Sequence, residues 1–283
     1  MASIELTETA LRADDLDGAN ALVAEAGWNQ NAADWRIFLE LGRAFAVKDA
    51  GGRLAATAAT LPYPSGFGWI SMVLVSGPFR RQGIATRLLQ RCIGALREAG
   101  MVPVLDATPA GREVYRLLGF RDGWAITRWR RSNATQVMKT GVARLLGAGD
   151  WPAVLALDAQ AFGCDRGPLL ERLRTRSMQF ACVVEKDGRL RGFLLGREGR
   201  VATQLGPIVA EDEAAAAELA GFACARIAGP VLLDALDRHR ALAHWLAAQG
   251  FVDERPYTRM ALGRDELFGD PRRLAAIAGP ELG

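Results

Sequence analysis

Apolar positions along this chain fall into short strand-like runs and longer stretches of helical period, in the order expected of a mixed α/β fold. Residues 16–26, opened by Asp14-Asp15, read as a helix, and residues 32–41 as a second. Apolar runs on either side of Gly51-Gly52 read as a hairpin. A strand over 69–75 leads into a basic glycine turn, Arg80-Arg81-Gln82-Gly83-Ile84-Ala85, and a helix follows over about 84–98. A short strand at 102–106 comes next. Pro109-Ala110-Gly111 starts a helix that closes at Gly119, a C′ position. Residues 125–131 read as a final strand, and the polar stretch 132–140 as a linker.

The pattern then repeats. Phe45-Ala46-Val47-Lys48-Asp49 before Gly52-Arg53-Leu54 is echoed by Phe180-Ala181-Cys182-Val183-Val184 before Gly188-Arg189-Leu190, an offset of 136 residues. Leu118-Gly119-Phe120 is echoed by Gln249-Gly250-Phe251, an offset of 131. Two landmarks at nearly equal offsets indicate a duplication, with copies at 1–132 and 141–283.

Bulk properties narrow the function. A chain of 283 residues, half hydrophobic and a quarter charged, is long enough for two globular domains. Its net charge of +3 does not provide the strong basic stripe of a general nucleic-acid binder. Arg outnumbers Lys, which suits bidentate contacts with phosphate or carboxylate and equally fits codon bias. Cys92, Cys164, Cys182 and Cys224 are far apart with no C-x-x-C pair, and His239 and His244 sit at i, i+5, so no metal site is expected. With neither a leader pattern nor an apolar run of about 18 residues, the expectation is a cytoplasmic protein with reduced thiols and no membrane span.

The basic turn carries the sharpest chemistry. A strand, a glycine turn and a helix start present unpaired N–H groups at the positive end of a helix dipole, which suits an anion. Gly83 has no Cβ, so a phosphate can approach the backbone closely. The group this suggests is a pyrophosphate.

The strand with this turn resembles the acetyl-CoA signature of the GNAT superfamily of N-acetyltransferases, Q/R-x-x-G-x-G/A, with Arg80, Gly83 and Ala85 on its fixed positions. Tyr115-Arg116-Leu117-Leu118-Gly119-Phe120 resembles the family's Y-x-x-L-G-F ending. Pro78 falls one place later than the family's usual proline, and Thr108 stands where the family often has Asn. The resemblance covers about residues 4–130. The whole chain resembles the tandem subgroup with a divergent second acetyltransferase-like domain.

That resemblance implies an α/β (α+β) fold of two GNAT-like domains, each a mixed, mostly antiparallel twisted sheet flanked by helices. It implies acetyl-CoA as co-substrate. Val73, Leu74 and Val75 would pair with the pantetheine. Arg80, Arg81, Gln82, Gly83, Ile84, Ala85 and Thr86 would hold the pyrophosphate, with Thr108 a further contact. The reaction would be direct attack on the thioester by a primary amine of a small molecule or peptide. Tyr115 would protonate the departing thiolate. Asp106 reads as a base, a substrate contact or a turn residue, and Ser71 also falls near the expected site. Trp28, Asn29, Gln30, Trp35, Tyr63 and Trp69 read as acceptor contacts or core.

At the matching turn of the second copy stand Glu211-Asp212-Glu213, which satisfy the helix dipole themselves and repel a pyrophosphate. The second copy is therefore expected to bind no acetyl-CoA and to close one side of the acceptor cleft, with Phe162, Asp234, His239 and Arg255 as candidates to face it. A non-catalytic acyl-CoA-binding module and an aminoacyl-tRNA-dependent transferase are the alternatives. The low charge and the intact first signature disfavour the latter. The expected partners are an amine acceptor, no nucleic acid and no membrane, in a monomer or homodimer.

Overall fold

The computed structural model describes residues 5–132 and 141–283, so most of the expected linker, 133–140, lies outside the described residues. The chain forms two compact units, Met1–Val104 with Gly199–Val201, and Leu105–Glu198 with Ala202–Gly283.

In the first unit, β1 (Leu6–Ala10) is followed by α1 (Leu16–Glu25) and α2 (Ala32–Leu41), then β2 (Arg43–Asp49), β3 (Leu54–Tyr63), β4 (Phe67–Val75), α3 (Ile84–Glu98) and β5 (Val102–Ala107), which begins here. The strand order is β1-β2-β3-β4-β5. Each neighbouring pair is antiparallel except β4–β5, which run parallel. β3 is buried at every position but Pro62. A strand without alternation is covered on both faces, and here α1 and α2 pack on β3 from their side while α3 packs on β3 and β4. The Ala-Ala-Thr-Ala-Ala run of β3 keeps its side chains short enough for helices to approach. α3 buries Leu88, Leu89, Cys92 and Leu96 at helical spacing, each worth about 1.5–3 kcal/mol of apolar burial for the larger side chains.

The second unit holds α4 (Pro109–Leu117), β6 (Phe120–Arg131), β7 (Ala143–Leu145), α5 (Trp151–Phe162), α6 (Gly167–Ser177), β8 (Cys182–Lys186), β9 (Arg189–Glu198), β10 (Thr203–Ala210), α7 (Glu213–Cys224), β11 (Val231–Leu236), α8 (Arg240–Ala248), β12 (Val252–Leu262) and β13 (Leu274–Ala276). Its strands are ordered β12-β6-β11-β13-β10-β9-β8-β7. α7 is alanine-rich and buried along most of its length against β8, β9 and β10.

β6 explains why the compact units do not divide at the repeat boundary. It ends the first repeat in sequence, yet it is antiparallel to both β11 and β12 of the second. The hairpins, the glycine-turn helix and the helix ending at Gly119 are all present where the periodicity placed them. The strand expected at 125–131 is longer and begins at Phe120.

Among the described residues no helix is long and apolar enough to cross a membrane. Among the described residues no group of His, Cys, Asp and Glu could hold a metal ion. All four cysteines are buried and unbridged. Burial pushes the Cys92 thiol up to about 12 and the Cys224 thiol up to about 11, and raises Cys182 as well. A raised thiol pKa leaves the unreactive protonated form dominant well above neutrality. In an aromatic-disulfide titration at pH 8 the native chain should therefore release no rapid thiol equivalent, and all four should react in denaturant. A fast native equivalent would show one of these sites to be open.

Candidate functional site

β4 and β5 pair only at Phe67–Trp69 against Val102–Val104, after which β4 continues without that partner. β4 then bulges against β3 between the Ala59–Ser71 and Thr57–Leu74 pairs. Met72, inside the bulge, has a left-handed φ of 54°, a conformation costing about 1–3 kcal/mol for a side-chain-bearing residue. The Thr57 hydroxyl donates to the Met72 carbonyl at 3.0 Å and holds the bulge in place. The result is an edge, Val73 to Val75, whose main chain is turned away from a regular ladder.

The edge runs into the basic turn. Arg81 and Gly83 both have positive φ, 62° and 75°. Gly83 is the N-cap of α3 and no side chain caps the helix, so the first N–H groups of α3, from Ile84 to Thr86, have no helical acceptor. A cavity of about 420 Å³ opens there, lined by Ala26, Phe79, Val73–Val75, Arg80, Arg81 and residues 83–86. The structure thus brings together both stretches expected to bind cofactor. Gln82 is the exception in that turn: its side-chain amide donates to Pro78 O at 3.2 Å, and it is absent from the cavity wall.

Glu25 is a residue the motif does not reveal. Its Oε1 accepts from Gly77 N–H at 2.6 Å and from Arg80 Nη2 at 3.0 Å, while Arg80 Nε donates to Val75 O at 2.9 Å. Arg80 therefore ties the end of β4 to the end of α1. The Gly77 N–H, with the Arg80 charge adding to it, holds the Glu25 carboxyl below its ordinary value. The only sequence signal for this contact is an acidic residue at the end of a helix, where the dipole disfavours it.

Three further candidates, Asp106, Thr108 and Tyr115, belong to the second unit. Asp106 is fully buried at its side chain and makes a bidentate pair with Arg259 of β12, both contacts 2.9 Å. Burial pushes its carboxyl up and Arg259 pulls it down, with the upward effect larger. Both of its oxygens are engaged by the guanidinium, which also lies 5.4 Å from the Trp124 ring. Tyr115 is half-buried on α4 with its ring 6.0 Å from Phe120, and burial raises its phenol above the ordinary value. Gly111 makes room for it, since a Cβ there would lie 3.0 Å from the ring. Thr108 is the N-cap of α4, its hydroxyl accepting from Gly111 N–H at 3.3 Å.

The aromatic residues offered for the acceptor are mostly interior. Trp35, Tyr63 and Trp69 are buried, Tyr63 packing on Phe67 at 5.4 Å and on Trp69 at 6.3 Å. Trp35 Nε1 and the Ser71 hydroxyl are buried without a hydrogen-bond partner. Asn29 is also buried and binds chain rather than open space: its Oδ1 accepts from Val201 N–H at 3.0 Å and its carbonyl from Arg200 N–H at 2.6 Å. Trp28 is half-buried, with its carbonyl taking the Arg200 Nε proton at 2.9 Å.

At the matching turn of the second repeat every carboxylate is engaged. Asp212 caps α7 through Ala215 N–H at 2.8 Å, Glu213 accepts from Leu242 N–H at 2.8 Å, and Glu211 pairs with Arg189 at 2.8 Å and with Arg191. Asp234 and His239 are interior groups as well. Asp234 is clamped by Arg128 at 2.8 Å and by Gln204 at 2.9 Å, and His239 Nε2 lies 2.9 Å from Pro271 O. Phe162 is buried under the Arg166 guanidinium.

Comparison with known proteins adds a family context. Residues 15–120 match the model described as acetyltransferase (GNAT) family, and residues 154–274 the one described as acetyltransferase (GNAT) domain. The chain is 25% identical over 250 residues to an uncharacterised N-acetyltransferase, YitH, of Bacillus subtilis, covering 87% of this chain and 88% of that one. Its fold is similar to a structure from Pyrococcus horikoshii described as an acetyltransferase, with a TM-score of 0.82, 17% identity, and coverage of 100% and 98%. It is also similar to a tandem GNAT protein from the clavulanic acid biosynthesis pathway, with a TM-score of 0.63, 14% identity, and coverage of 91% and 98%.

Two substitutions probe this geometry. Glu25→Ala removes the acceptor for Gly77 and Arg80 and should weaken binding of a pyrophosphate-bearing probe, ADP, about 3- to 10-fold, as for loss of a modest hydrogen bond. The depressed carboxyl means the wild-type clamp persists at neutral pH and is lost only as pH falls through that lowered value. Calorimetry at pH 7 showing unchanged affinity would remove Glu25 from the site. Arg259→Ala leaves Asp106 buried without its cation and should cost about 3–5 kcal/mol in urea denaturation. A loss below about 1 kcal/mol would mean the pair is not structural.

Proposed function

The chain belongs to the GNAT family of acetyltransferases and is an acyltransferase; from that premise we propose that its first repeat binds acetyl-CoA and passes the acetyl group to a primary amine of a small molecule or peptide. The observation that carries this reading is the cavity shared by the free edge of β4 and the uncapped start of α3. A pyrophosphate fits the second feature through N–H groups and dipole. An extended amide arm fits the first, since a strand edge offers main-chain donors and acceptors. Acetyl-CoA carries both. Arg81, with its side chain exposed at the turn, supplies positive charge, whereas Arg80 is occupied in shaping the loop.

The chemistry follows from the groups available. A free amine near pKa 8–10 is mostly protonated at neutral pH and must lose a proton before attack. The tetrahedral oxyanion needs a donor, and main-chain N–H groups around Val75 are suited to that. The departing thiolate needs a proton. Tyr115, whose raised pKa keeps its hydroxyl protonated through neutral pH, supplies it. Asp106 serves better as the partner that fixes Arg259 than as the base, because Arg259 engages both of its oxygens. Acceptor contacts fall to the half-buried Trp28 and to the unmatched hydroxyl of Ser71, which a bound amine ligand would satisfy.

Purified chain with acetyl-CoA and an amine panel should release free thiol in step with acetylated product. Tyr115→Phe should lower kcat by about 100-fold, the low end for a lost acid, with acetyl-CoA affinity nearly unchanged. Tight acetyl-CoA binding with no transfer to any amine would favour the reading as a non-catalytic acyl-CoA module.

A further inference from the structure

The two repeats part their strands at the same place. β4 pairs with β5 at Phe67–Trp69, and β10 pairs with β11 at Thr203–Leu205, 136 residues further on, the same offset as the hairpin repeat. Both strands become irregular immediately afterwards: β4 bulges at Met72, and the β10–β9 ladder shifts between Leu205 and Ile208. In the first repeat the edge beyond the parting lines the cavity of about 420 Å³.

In the second repeat that opening is filled by the chain itself. β13 enters between β10 and β11, antiparallel to both. Ala276 stands opposite Ile208 on one side and Ala235 on the other, and Leu274 stands opposite Val209. Ile277 N–H donates to Asp234 O at 3.0 Å. Gly206 is required by this approach: a Cβ there would lie 2.0 Å from Ile277 O. Buried side chains hold the segment as well. His239 Nε2 is 3.2 Å from Leu274 O, Arg197 donates to Ala278 O and to Glu281, and Arg166 donates to Gly283 O at 2.7 Å. Residues 274–283 are all buried except the half-buried Pro280.

We infer that residues 274–283 are the resident occupant of the second repeat's ligand cleft, lying where the extended amide arm of a cofactor would lie. The second repeat retains a cofactor-shaped opening and is closed to acetyl-CoA by its own chain, so each chain carries one acetyl-CoA. The acidic turn is an independent observation in the same direction, because Glu211, Asp212 and Glu213 are committed to protein partners where phosphate would need donors. β13 also shows, within the molecule, which chemistry such an opening accepts: an extended polyamide bonded along both edges. This inference rests on the acetyl-CoA reading of the first repeat.

Hydrogen exchange on the full chain separates the two. With saturating acetyl-CoA, residues 72–86 should gain protection, while residues 274–283 should be strongly protected without ligand and unchanged, within twofold, with it. Lost protection over 274–283 would mean the ligand displaces the segment and would overturn the inference. Absent protection over 72–86 with 274–283 still protected would overturn the first-repeat reading and leave the closed cleft standing. In calorimetry the wild-type chain should bind one equivalent and Gly83→Asp none. One equivalent remaining in Gly83→Asp, folded by circular dichroism, would reveal an open second site and sink the proposal.

Discussion

The central constraint is a strand edge that must find a partner. Two parallel strands pair for three residues and then part, and the main-chain groups beyond the parting point cannot stay both buried and unpaired without a cost of about 1–3 kcal/mol each. In the second repeat the need is met by β13. In the first, Val73 to Val75 face a cavity. The same defect in a sheet is a closed structural element in one copy and an open cavity in the other.

The basic turn at the start of α3 is shaped by backbone geometry more than by charge. Arg81 and Gly83 adopt left-handed conformations that turn the chain into α3 without a side-chain cap. Arg80, the most prominent basic residue of the motif, bonds to Val75 O and Glu25 and shapes the loop. The contrast with the second repeat is chemical: there Asp212 provides the cap and Glu213 reaches the start of α8, so the helix end is satisfied by protein.

The arginine-rich composition has its structural counterpart in the second unit. Arg128–Asp234, Arg166–Asp158, Arg197–Glu281 and Arg259–Asp106 are buried ion pairs linking segments far apart in sequence or fixing a helix to its loop. Such pairs add little net stability, because desolvation offsets their attraction, but breaking one strands a buried charge. Their effect here is on register: Arg128 joins β6 to β11, and Arg259 joins β12 to Asp106. They accompany the placement of β6 among strands of the second repeat.

Local chemistry made much of this legible in the chain. The helix starts at Leu16, Ala32, Ile84 and Pro109, the hairpins, the duplication and the glycine turn all follow from periodicity, capping and conformational freedom, which act over a few residues. The acidic turn of the second repeat was readable for the same reason. What the sequence did not determine was pairing at a distance. Nothing in the alternation of β6 says whether its partners come from its own repeat or the next, since a strand edge carries the same donors and acceptors everywhere. Nor does Leu274-Ala275-Ala276 declare itself a strand, being too short to show a period. The clamp on Asp106, the Glu25 anchor and the burial of Trp35, Tyr63 and Trp69 are likewise decided by what packs around them. The sequence alone specified the basic glycine turn and its loss in the second copy. The tertiary structure decided which edge stays open, because only the folded chain determines where β13 goes.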